Sequence, residues 1–92
     1  MPKVTNIQVS PQKDEEPLLA FVSFALEDAV VVRGCMLIRK PDGKSCFVAM
    51  PARKRSDGSA QDIVVVIDRA FRDELDARVI AEYERIVAEE ES

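Results

Sequence analysis

Phe47–Ile67, FVAMPARKRSDGSAQDIVVVI, decides the fold of this chain. The runs Cys46–Pro51 and Ile63–Ile67 carry Phe, Val, Met and Ile, side chains that suit a pleated, half-buried surface. Between them Arg53, Lys54 and Arg55 stand in a row. Asp57-Gly58 tolerates the positive φ that a chain reversal needs. The segment reads as a β-hairpin arm that holds three cations in solvent above a stiff base. Pro51 has no N–H for a ladder, so it belongs at a strand end or an edge.

Working outward, Cys46–Pro51 has an obvious upstream partner. Pro41-Asp42-Gly43 is a turn, and Ala29–Arg39 reads as a strand interrupted at Arg33-Gly34. A glycine inside a strand marks a bulge or a close backbone approach. Pairing around the turn sets Arg39 beside Cys46 and Cys35 opposite Met50. The two cysteines are then apart on the ladder, two reduced thiols behaving as small apolar residues. Leu18–Leu26 is another strand, with Leu18, Ala20, Val22, Phe24 and Leu26 on one face and Leu19, Phe21 and Ala25 on the other. Glu27-Asp28 turns it into the next. Val4–Ser10 is the first strand, and Pro11–Pro17 is a polar turn whose prolines prevent pairing there.

Downstream, Asp68 is a suitable N-cap. Phe71, Leu75, Val79, Tyr83 and Ile86-Val87 recur every three or four residues, which predicts a helix over about Arg69–Ala88 facing the sheet. Glu74 and Arg78 are spaced for an i,i+4 ion pair. Residues 88–92 are acidic, oppose the helix dipole and are expected to fray. The 92 residues form one domain of α+β class: a mostly antiparallel five-stranded sheet with one long C-terminal helix packed on one face. One helix covers only part of such a sheet, so the rest meets solvent or a second copy.

The residues of this segment resemble the SpoVG (stage V sporulation protein G, septation regulator) family. The likeness is carried by Phe47-Val48-Ala49-Met50-Pro51, the basic loop, Asp57-Gly58 and Asp62-Ile63. It extends through Val4-Thr5, Leu26, Val30–Ile38 and Glu82-Tyr83, about Val4–Ile86. The resemblance implies a homodimer that binds DNA and/or RNA as a regulator. An edge strand such as Ile63–Ile67 can pair the two copies. The lack of a signal-peptide pattern or membrane-length apolar run leads to the expectation of a cytoplasmic protein. Sporulation, septation and cell division are the processes tied to that family. Arg53 and Lys54 match its two basic positions with Lys and Arg exchanged, and Arg55 adds a third where Thr is usual. Arg72 matches an arginine at the start of the family's helix, and Arg69 lies near it. Glu74 stands where Lys is frequent, Gln61 where Arg is frequent, and Val65-Val66 replace His-Pro. Nucleic-acid contact is therefore expected from Arg53, Lys54 and Arg55, assisted by Arg69 and Arg72.

Charge supports the same segment. Acids outnumber bases 17 to 13, a net −4, which alone disfavours a polyanion. The distribution is uneven. Arg33–Arg55 holds seven bases and one acid, whereas residues 68–92 hold four bases and nine acids. A ligand responds to the nearby field, because charges beyond about 10 Å are largely screened.

Other chemistry lacks its residues. There is no histidine, so the commonest general base and metal ligand are both missing. Two isolated cysteines do not make a zinc site, and three glycines cannot build a nucleotide fingerprint. No catalytic constellation, metal site or cofactor motif is legible, and an enzyme is not expected. The first residues lack a signal-peptide pattern and no apolar run is of membrane-spanning length. Phe47 and Tyr83 read as buried, so the sequence offers no aromatic platform for base stacking. The acidic total and Glu89–Glu91 leave a second reading open, a protein-interaction module whose basic arm docks an acidic surface.

Overall fold

The computed structural model describes residues 2–91. Four strands, β1 (Val4–Pro11), β2 (Leu18–Leu26), β3 (Val30–Arg39) and β4 (Cys46–Ala49), form an antiparallel meander in that spatial order. A separate two-stranded ribbon, β5 (Ala52–Lys54) and β6 (Ala60–Asp62), follows. The helix α1 (Arg69–Glu91) closes the chain. The α+β class and the single long C-terminal helix are as expected from sequence.

The turns obey their local residues. Glu27 and Asp28 both take φ of 54°, the two-residue reversal that matches strand twist. Asp42 builds the β3–β4 turn: its carboxylate accepts the Lys44 and Ser45 amides at 2.8 and 3.0 Å and the Ser45 hydroxyl at 2.8 Å. Those bonds pull the Asp42 carboxyl down to about 2. The β3–β4 register pairs Arg39 with Cys46 and Met36 with Ala49, as the turn requires. Between Val22↔Cys35 and Phe24↔Val32, β3 gains one residue over β2. This is the bulge at Arg33-Gly34, where Gly34 takes φ of +82°.

The first strand runs one residue further than the sequence indicated. Pro11 pairs with Ala20, because β1 is an edge and its missing N–H faces away from the ladder.

The core lies between one face of the sheet and α1. Leu37, Leu75, Val48, Val79 and Cys35 are fully buried, with Val22, Phe24, Val32 and Phe71 around them. Burial pushes the Cys35 thiol up to about 11, with Arg72 opposing. Cys35 is thus an apolar spacer. Cys46 is only half-buried, and both thiols are free. Asp68 caps α1, accepting the Phe71 amide at 3.0 Å. The helix continues to Glu91 and does not stop at Ala88. Arg85 supports its last turns by pairing with Glu82 and, at 2.8 Å, with Glu89. Ser92 lies outside the described residues. Arg78 donates to the Val4 carbonyl at 2.7 Å, and the structure gives it no ion pair with Glu74.

The expected strand Ile63–Ile67 is not a strand. Its residues do alternate: Val64 and Val66 pack against the core while Ile63, Val65 and Ile67 point outward. The chain is extended but has no ladder to join. The outer edge of β4 is already occupied by α1: the Val48 amide donates to Asp76 Oδ1 at 3.2 Å, and Arg72 donates to the Val48 carbonyl. The sheet therefore has four strands, and residues 63–67 form a strap. Among the described residues the strap's backbone bond to the preceding structure is from Ile63 N–H to the Pro51 carbonyl, 2.9 Å.

Leu75 is completely buried where α1 meets the sheet. Leu75→Ala is expected to cost about 2–5 kcal/mol, a large share of a small domain's stability. Urea denaturation of the variant should show an earlier midpoint with an unchanged slope.

Candidate nucleic-acid interface

The chain leaves the sheet at Met50-Pro51 because Pro51 cannot continue the β4 ladder. It returns at Ile63, whose amide closes the root of an arm. Within the arm Ala52 pairs with Asp62, Arg53 with Gln61 and Lys54 with Ala60. The tip is a three-residue loop, Ser56-Asp57-Gly58. Arg55 N–H bonds the Ser59 carbonyl at 2.7 Å, Gly58 N–H bonds the Arg55 carbonyl at 3.0 Å, and Gly58 takes φ of +91°. Asp57 accepts the Ser59 amide at 2.9 Å and its hydroxyl at 2.6 Å. The hydroxyl bond, then the amide bond, hold the Asp57 carboxyl below its usual range. Asp57 is thus a turn residue that stays charged.

Arg53, Lys54 and Arg55 are exposed, and none forms an ion pair with a described residue. Strand alternation places Arg53 and Arg55 on one face of the ribbon and Lys54 on the other. The ribbon is therefore cationic on both sides. Asp57 and Asp62 offset part of that charge. The arm is β5–β6, a shorter pairing than the expected one between Cys46–Pro51 and Ile63–Ile67, because Pro51 and the occupied β4 edge stop the longer ladder.

The other two expected contributors do different things. Arg72 is half-buried, donates to the Val48 carbonyl and pairs with Asp76 at 3.4 Å. It holds the helix to the sheet. Arg69 is exposed in the first turn of α1, and along the chain the strap stands between it and the arm. The basic segment Arg33–Arg55 is also divided. Arg39 pairs with Glu16 at 3.5 Å, and Lys40 and Lys44 sit at the β3–β4 turn, the opposite end of β4 from the arm. One cation missing from the expected set does join the arm's root. A Cβ at Gly34 would lie 3.6 Å from Pro51 Cβ, so the bulge carrying the exposed Arg33 abuts the point where the arm leaves. The break at Arg33-Gly34 was the available signal. What it touches was not legible.

Among the described residues no group of three or more His, Cys, Asp or Glu is placed to hold a metal ion. No helix among them is long and apolar enough to cross a membrane.

A four-stranded meander, one long helix and a separate two-stranded ribbon with exposed cations make up a small α+β domain. The sequence pattern of the SpoVG family matches residues 2–85. A protein of Anaeromyxobacter sp. (strain Fw109-5) named "Putative septation protein SpoVG" is 36% identical over 83 residues, covering 90% of this chain and 82% of its own. Proteins of the same name from Clostridium acetobutylicum and Myxococcus xanthus are 32% and 34% identical. They cover 98% and 89% of this chain, and 93% and 80% of their own lengths. The chain belongs to the SpoVG family.

These placements separate two roles. Arg72→Ala leaves the Val48 carbonyl and Asp76 without their cation and is expected to cost about 1–3 kcal/mol. Replacing Arg53, Lys54 and Arg55 together by Ala is expected to move stability by less than about 0.5 kcal/mol, since all three are solvent-exposed. Thermal melts of the two variants beside the parent check both.

Proposed function

We propose that this SpoVG-family protein is a nucleic-acid-binding regulator that acts as a homodimer and contacts phosphates through its ribbon. The observation that carries the reading is the set of three exposed cations of the ribbon, Arg53 and Lys54 on β5 and Arg55 just after it, none in an ion pair with a described residue. Guanidinium forks suit phosphate oxygens, and a two-stranded ribbon is narrow enough to enter a major groove. Binding would be led by the backbone, modestly selective for sequence and steeply salt-dependent. Arg69 and Arg33 extend the field from the helix start and the arm's root. Arg72 is left out, since its charge is engaged inside the fold. No catalytic group is needed.

A second copy supplies what the strap lacks. Ile63, Val65 and Ile67 are 63, 63 and 93% exposed, an outward apolar row on an extended backbone with few hydrogen bonds. Two straps pairing antiparallel about a two-fold axis would satisfy both.

Fluorescence anisotropy against duplex DNA and RNA at several salt concentrations tests the first part. The triple Ala variant should weaken binding and flatten the log–log salt slope by about two to three. No binding at about 100 μM protein in low salt would reject the reading. Salt-sensitive self-association without nucleic-acid binding would assign the arm to an acidic protein surface instead. For the dimer, sedimentation should give twice the chain mass for the parent and a single chain mass for Val65→Lys. A monomeric parent would remove that part of the proposal.

A further inference from the structure

The face of the sheet turned away from α1 is open. On β2, Ala20 and Val22 are buried toward the helix, whereas Phe21 between them is 48% exposed. Its cross-strand neighbours are Ser10 on β1 and Met36 on β3. One step along the same face, Ser23 lies between Gln8 and the Arg33-Gly34 bulge. Because Gly34 has no side chain and the bulge spreads the strands, a concavity of about 350 Å³ remains there. Gln8, Ser10, Phe21, Ser23, Arg33 and Gly34 line it.

Resting on the nucleic-acid reading above, we propose that this concavity takes one unpaired nucleobase, stacked on Phe21, with the adjoining phosphate held by Arg33. Five features support it. The volume is at the small end of ligand pockets, the size of one planar ring system and not of a larger cofactor. Phe21 offers a π-face to any base, worth a substantial share of single-strand affinity. Gln8, Ser10 and Ser23 bring donors and acceptors together, so the edge of any base can be satisfied. Arg33 supplies a cation, no carboxylate lines the site, and Arg33 forms no ion pair with a described residue. Gly34 against Pro51 joins the site to the root of the arm, so one strand can lie on the ribbon and on the sheet. A base within a duplex is stacked on both faces and cannot lie on a sheet, which makes the occupant single-stranded. A second copy fits poorly. A two-fold contact here would bring two Arg33 side chains together with no acid between them.

The test uses a labelled single strand of about ten nucleotides, an abasic strand of equal length and a duplex. Phe21→Leu keeps apolar bulk and removes the π-face, and Arg33→Gln removes the cation. Phe21→Leu should weaken single-strand binding about 5- to 100-fold while leaving duplex and abasic-strand binding unchanged. Arg33→Gln should weaken both single-stranded ligands. Equal binding of parent and Phe21→Leu to the base-bearing strand, with duplex binding intact, would overturn this site and leave the arm's role standing. Loss of binding to every ligand by the parent would instead overturn the reading beneath it. A change in sedimenting mass on Phe21→Leu would give the face to a subunit contact and also overturn the proposal.

Discussion

The Val48 peptide unit and the two helix side chains that grip it organise this molecule. Val48 lies on the outer strand of the sheet, where a free N–H and C=O would invite another strand. Asp76 takes the amide and Arg72 takes the carbonyl. The pair Arg72–Asp76, one helical turn apart, thus turns a helix face into the missing neighbour of β4. Arg78 does the same for the Val4 carbonyl on β1, the other edge strand. The helix therefore spans the sheet and engages both edge strands, with Leu75 and Val79 filling the space beneath.

That closure fixes what the following residues can do. With β4 occupied outside and Pro51 ending its ladder, the basic segment has no sheet to join. It folds back on itself as β5–β6, and none of its residues is buried. The ribbon's order rests on its own turn, made by Asp57, Ser59 and Gly58, and on the Pro51–Ile63 bond at its root. None of the three cations forms an ion pair with a described acid, although residues 68–92 carry nine. A net negative protein can in this way present a positive end, because screening makes the local arrangement count for more than the total.

Gln61, Glu74 and the Val65-Val66 pair gain meaning from position. Gln61 sits directly across from Arg53, so a neutral partner there relieves repulsion between neighbouring cations on the ribbon. Glu74 is exposed on the helix, beside buried Leu75. Val65 points outward from the strap and Val66 packs inward, so the strap is apolar on both sides.

The sequence by itself determined what depends on near neighbours. The β3–β4 register follows from Pro41-Asp42-Gly43, the helix start from Asp68, its buried stripe from the spacing of Phe71, Leu75 and Val79, and the bulge from Gly34. Each is settled by dihedral preference or a hydrogen bond within a few residues. Only the tertiary structure decided whether Ile63–Ile67 would be a strand or a strap, because the alternation of apolar residues is the same in both. The difference lies in whether an edge is vacant, and Arg72 and Asp76 had filled it. The same contact withdrew Arg72 from the basic surface. Exposure of Phe21 and the meeting of Arg33 with the arm's root were likewise hidden, since both depend on which sheet face the helix covers and on a Gly34–Pro51 approach between residues distant in the chain.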